Sequence, residues 1–266
     1  MVFVVSLIAL AHVACGRKEP PPREKATTAA KAPAAPLKKP ALPENAPRLA
    51  IVIDDLGRDR AAAARLLALG VPITFSVIPN LPFSADTATE AYRAGREVML
   101  HLPMAANGAR GGVPSEPVEL QPGMDSAATE SMIAAMLQSV PHAAGVNNHQ
   151  GSQATTNRAL MDAVMRALGS RQLYFLDSRT SAASVAYDAA QDAGLRAAYR
   201  TEFLDDTPDR ATVQRQLLAA ERRAREHGWA IAIGHPHTDT LAVLEEALPQ
   251  FAARGVRLVF VSEIAK

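Results

Sequence analysis

Between Pro47 and Lys266, short apolar runs alternate with helical patterns seven or eight times. This alternation constrains the fold more than any other feature, because it implies parallel strands joined by helical crossovers. The clearest run is Leu49-Ala50-Ile51-Val52-Ile53, which reads as a strand buried on both faces. It stops at two adjacent carboxylates, Asp54 and Asp55, and Leu56-Gly57 predicts a turn there before a helical pattern from Arg58 to Leu69. Later strands are expected over 71–79, over 97–100 ending at His101, and from Gly145 into a polar turn, Asn147-Asn148-His149. Others run over 172–179 with an acid at Asp177, and over 195–203 leading to Asp205 and Asp206. The last two cover 229–233, ending at His235 and His237, and 256–261. The size and rhythm fit a closed or partly closed (β/α) barrel; an open doubly wound sheet has the same period.

The chain ahead of this region has a different character. Residues 1–11 are almost wholly apolar, about the length of a signal-peptide core and too short to span a bilayer. The single cysteine, Cys15, follows in His12-Val13-Ala14-Cys15-Gly16, which resembles a bacterial lipoprotein cleavage site, although His12 stands where Leu is usual and no basic residue precedes the apolar run. Residues 16–46 are rich in Pro, Ala and Lys with almost no large apolar side chains, so they predict an extended spacer. The expected organisation is a leader over 1–15, a linker over 16–46 and a barrel over 47–266. The implied location is the periplasm or cell envelope, with the membrane reached only through the leader or a lipid on Cys15. A net charge of +1 supplies no long-range field for nucleic acid. One cysteine excludes an internal disulfide and a Cys-based metal site, so any metal must be held by His, Asp or Glu.

In parallel α/β proteins, chemistry collects at the carboxyl ends of strands. Asp54, Asp55, His101, His149, Asp177, His235 and His237 all fall at or just beyond such ends, and they include four of the seven histidines. An Asp there is also a common helix cap, and Asp55 offers that alternative. Taken as a set, the residues suit a catalytic divalent ion, Zn²⁺ or similar. Such an ion takes three N or O ligands and leaves one position for water, whose pKa it lowers toward ~7. A neighbouring carboxylate then accepts a proton and an imidazole donates one.

These residues also carry a resemblance. Ile53-Asp54-Asp55-Leu56-Gly57 resembles the first motif of the polysaccharide deacetylases, 97–101 the start of the second, and Ile231-Ala232-Ile233-Gly234-His235 the last. With His-Leu-Pro-Met, Asn-Asn-His-Gln-Gly-Ser, Leu-Asp-Ser-Arg-Thr and Gly-His-Pro-His, the set is similar to the divergent polysaccharide deacetylases of bacterial envelopes. The resemblance implies a distorted seven- or eight-stranded (β/α) barrel of the polysaccharide deacetylase type. It implies a metal-dependent hydrolase acting on acetyl groups of an envelope polysaccharide or peptidoglycan-type glycan. Asp54 is then the base, Asp55 a metal ligand and His235 the acid. Position 105 is Ala where the family carries a second motif His, so His149 is taken as the third ligand beside Asp55 and His101, on convergence alone. The family's Arg-Pro motif, which orients the base, has no match, and Arg179 or Asp177 is the replacement the strand ends offer. Asp177, Arg179, His237 and Asn148 are expected to touch the ligands or the substrate. A non-catalytic glycan- or protein-binding factor on the same barrel is the alternative.

Overall fold

A computed structural model describes residue 2 and residues 42–108 and 118–266. The expected leader, nearly all of the linker and part of the loop after 105 lie outside the described residues. In chain order the elements are β1 (Arg48–Leu56), α1 (Arg60–Ala68), β2 (Thr74–Val77), α2 (Ser84–Arg93), β3 (Glu97–Met104), α3 (Ser126–Ser139), β4 (Ala143–Gln150) and α4 (Arg158–Gly169). There follow β5 (Tyr174–Asp177), α5 (Ala186–Asp192), β6 (Ala197–Tyr199), β7 (Glu202–Phe203), α6 (Arg210–His227), β8 (Trp229–Gly234), α7 (Thr238–Ala247) and β9 (Arg257–Val259). None of the described helices is long and apolar enough to cross a membrane.

Among the described residues every strand pairing is parallel. The sheet runs β6-β5-β4-β3-β2-β1-β8-β7, with β9 beside the first half of β1. The two ends of that order, β6 and β7, are consecutive in the chain. The single stretch 197–203 pairs with β5 first and with β8 next, and Thr201 N–H donates to the Ile231 carbonyl between them. This splice curls the sheet into the (β/α) barrel. The sequence read 195–203 as one strand; the change of partner breaks it into two short ones.

Alternation along the strands divides the core in two. Leu49, Ile51 and Ile53 of β1, Phe75 and Val77 of β2, and Val98, Leu100 and Leu102 of β3 pack with buried helix residues such as Leu66, Ile133, Leu160 and Val213. The neighbours one position away point inward: Ala50, Val52, Met99, Tyr174, Leu176, Ala198, Ile231 and Ile233 form a separate cluster inside the barrel. Burial of each large apolar side chain contributes about 1.5–3 kcal/mol over leaving it exposed. Inside, Gly145 lies under the Tyr174 ring, where a Cβ would come within 2.4 Å of the ring carbons, so only glycine fits.

Two boundaries differ from the expectation in a way that matters for function. β3 continues three residues past His101, and β4 runs through Asn147-Asn148-His149, which are strand and not turn. The register pairs His101 with Asn147 and Pro103 with His149. Extended backbone here gives each side chain a fixed face.

Candidate metal centre

The inward rows of several strands end in polar residues. On β1 the row Ala50, Val52 continues to Asp54; on β3, Met99 continues to His101; on β4, Gly145 leads to Asn147 and His149; on β8, Ile231 and Ile233 lead to His235. Asp55 is the exception, since an unbroken strand would aim it with Ile53 toward the helices. Its φ of +57 places it in the left-handed region, and the β1–β2 register slips by one residue between Ile53 and Leu56. This bulge turns Asp55 back to the mouth, beside Asp54. The reversal was expected at Leu56-Gly57; it begins at Asp55 itself. The cap of α1 is Asp59, whose side chain accepts from Ala61 N–H, so Asp55 is not spent as a cap.

Asp55, His101 and His149 bring one ligand atom each to a common point, all within 4.8 Å of one another. Asp55 Oδ1 lies 3.1 Å from His149 Nδ1 and 3.3 Å from His101 Nε2, and those two nitrogens are 3.1 Å apart. Oδ1 is buried and accepts no hydrogen bond, although both imidazole nitrogens lie close to it. The tetrahedral arrangement of zinc ligands at ~2.0–2.1 Å has edges of about 3.3 Å, so this donor set fits such an ion. Burial by itself would raise the Asp55 carboxyl, but the two imidazoles hold it far below the ordinary carboxylate range. Burial lowers His101, and the carboxylates of Asp54 and Asp55 more than reverse this. A cation in place of those protons would serve the same carboxylates.

Asp54 is almost fully buried and sits 3.6 Å from His101 Nε2. On the other side, His235 Nε2 is 3.9 Å from Asp55 Oδ2. The other nitrogen of His235, Nδ1, is 3.0 Å from Asp205 Oδ1, while Asp205 Oδ2 accepts from His235 N–H and from the Thr240 hydroxyl. Burial lowers His235, but Asp205, Asp54 and Asp55 together hold it up at about 9. Asp205, His235 and His237 form a second group of potential ligands. The hydrogen bonds on both Asp205 oxygens already commit that carboxylate to His235 and Thr240. His237 precedes α7, exposed, with its ring 5.8 Å from that of His235. A cleft of about 170 Å³, lined by Asp55, Leu56, Arg58, Ala62, His235 and Pro236 among others, opens beside these groups.

Of the remaining predicted residues, Asp177 and Asn148 fall on the outward face, and Arg179 lies beyond β5 on an open cleft with Phe203. Asp177 follows Phe175, toward α5, and its oxygens accept from Arg179 N–H, Ser184 Oγ and Tyr187 N–H. Asn148 accepts from Ser178 N–H and donates to the Gln150 carbonyl, bracing the chain after β5. Arg179 is exposed, with its guanidinium 3.8 Å from the centre of the Tyr199 ring. Three inward residues at the site were missed by the sequence reading: Asn147, Ser76 and Asp205. Asn147 shares a strand face with His149, so alternation was the available signal there; Asp205 follows β7 and reaches His235 only through the pairing of β7 with β8.

The fold is thus a parallel (β/α) barrel with a candidate Asp-His-His metal cluster at the carboxyl ends of its strands, flanked by a second Asp and a carboxylate-held His. The model of the family described as divergent polysaccharide deacetylase matches residues 51–265, and the chain belongs to that family. It is 41% identical to the uncharacterized protein YibQ of Escherichia coli K12 over 77% of this chain; the match spans 63% of that relative's length. It is 42% identical to an uncharacterized protein of Haemophilus influenzae over 76% of this chain and 71% of that one. The crystal structure of the uncharacterized protein ATU2773 from Agrobacterium tumefaciens C58 matches with a TM-score of 0.78 at 25% identity, covering 83% of this chain and 89% of that one.

Proposed function

We propose that this protein is a metal-dependent hydrolase that removes N- or O-linked acetyl groups from an envelope polysaccharide. The observation that carries the reading is the placement of one carboxylate and one imidazole on either side of a three-ligand cluster, Asp54 near His101 and His235 near Asp55. Asp55, His101 and His149 would hold the ion, Zn²⁺ or similar. Such an ion supplies Lewis-acid polarisation of the acetyl carbonyl and makes a water molecule more acidic.

The chain's own groups then move the protons. Asp54 takes one from the water that forms the new C–O bond. His235 gives the proton on Nε2 to the amine nitrogen or hydroxyl oxygen as its bond to the acyl carbon breaks. Asp205 holds the other ring nitrogen and favours the charged form of His235 before transfer. Leu56, Ala62 and Pro236 give the cleft an apolar wall suited to an acetyl methyl.

Export supports a glycan substrate: the apolar run at the start of the chain, the Cys15 context and the Pro-rich spacer favour tethering outside the cytoplasm. Mass spectrometry of the mature protein tests the lipid. Acetate release from N-acetylated chitooligosaccharides and from acetylated peptidoglycan tests the activity. Release by wild type that disappears in Asp54→Asn supports the assignment; unchanged release in that variant defeats it, and metal binding without any release favours the glycan-binding alternative.

A further inference from the structure

Asn147 is wholly buried at the centre of the inward-facing polar groups, and all four of its hydrogen-bonding capacities are used. Nδ2 donates to Asp54 Oδ1 at 2.8 Å and to Ser178 Oγ at 3.3 Å. Oδ1 lies 2.8 Å from Ser76 Oγ and 2.9 Å from His101 Nδ1. The amide has only one sensible orientation, because an ionised Asp54 only accepts and so must meet the nitrogen end. The oxygen end then faces His101, so Nδ1 of that ring carries the proton. Nε2, which faces Asp55 and His149, is then the nitrogen left to meet the ion.

We infer that Asn147 is the positioning residue that sets both halves of this site. It fixes the His101 tautomer that ligates the ion, and it anchors one oxygen of Asp54 so that the other faces the reacting centre. This inference rests on the metal-dependent hydrolase reading given above. It also explains how the site manages without the family's Arg-Pro motif: the donor to the base comes from β4, two residues before a proposed ligand on the same strand face. Arg179 and Asp177, on outward or exposed positions, are not needed for it.

The two functions of one amide are separable by substitution. In N147D the shape is retained and an acceptor still faces His101 Nδ1–H, so zinc binding should persist. The new carboxylate then meets that of Asp54 at hydrogen-bond distance, and the two must share a proton, which removes the base. N147L removes both contacts. Titration of metal-free protein with Zn²⁺ against a chromophoric chelator should place N147D within about threefold of wild type and N147L about 10–100-fold weaker. Nitrogen NMR of the zinc-loaded protein should find His101 protonated at Nδ1 in wild type and N147D and not uniquely so in N147L. Acetate release should fall by about 10²–10⁴-fold in both variants.

Wild-type zinc affinity in N147L, or a wild-type rate in N147D, overturns the inference. If wild type itself releases no acetate, the hydrolase reading falls and crystal structures of the variants decide the second half. Asp54 leaving its position in N147L supports the anchoring, and Asp54 unmoved in N147L overturns it. Should N147L not fold, N147A takes its place in the zinc, NMR and structural measurements, with the same outcomes for and against.

Discussion

Asp205 Oδ1 and His235 Nδ1 lie 3.0 Å apart across the end of the barrel, joining residues thirty positions apart in the chain. Nothing in the stretch around His235 announces its partner. The pairing exists because β7 lies beside β8, with Phe203 opposite Ile233.

That contact sets a pH dependence. In metal-free protein His235 should titrate near 9 against 6.5 for the ordinary imidazole. A raised folded-state value means the charged pair stabilises the fold fully below pH 6.5, and this stabilisation is lost as pH rises through about 9. The contribution is about 3 kcal/mol at most. Asp205→Asn should bring the His235 titration down toward 6.5, read by proton NMR, and cut turnover by about 10²-fold or more with little change in zinc affinity.

Zinc should stabilise the folded chain. At a concentration 100 times Kd, linkage gives about 2.7 kcal/mol, or roughly 5–10 °C in Tm for a domain of this size. Chelator should reverse the shift. Asp55→Ala should abolish it and remove about one bound ion per chain; an unchanged metal content would break the assignment of Asp55, His101 and His149.

The left-handed backbone at Asp55 stores strain that a residue with a Cβ must bear. Asp55→Gly should therefore be more stable to urea than Asp55→Ala by about 1 kcal/mol, although both lose the ligand. Equal stabilities would mean that the bulge relaxes once the carboxylate is gone.

Gly145→Ala tests the barrel interior. Its Cβ would meet the Tyr174 ring at 2.4 Å, while Tyr174 is itself held by a 2.8 Å hydrogen bond to Glu97 Oε1. Unfolding measurements should show a loss of about 1–3 kcal/mol. Gly145→Ala combined with Tyr174→Leu should lose less than the sum of the two single changes.

The alternation of apolar runs and helices made the parallel sheet legible and the family resemblance singled out the barrel, while the strand ends made Asp54, Asp55, His101 and His235 candidates. What escaped was set by the face of each strand. Reading 147–149 as a turn hid the fact that Asn147 and His149 share one side of β4 while Asn148 takes the other. Counting by twos from Phe175 would have sent Asp177 toward α5, where its carboxylate holds Ser184. Asp55 breaks the same count, and no residue pattern announces a left-handed Asp in mid-strand. Asp205 needed the pairing of β7 with β8, a relation between distant segments that local sequence does not encode.

The splice at 197–203 has a consequence for how the molecule comes apart. The ends of the sheet meet at this short run, and Asp205 lies two residues beyond it. Shutting the cylinder and seating Asp205 against His235 are thus one event. Fraying along that line would free His235 from Asp205 first, while Asp55, His101 and His149, on strands that pair elsewhere in the sheet, stay in place.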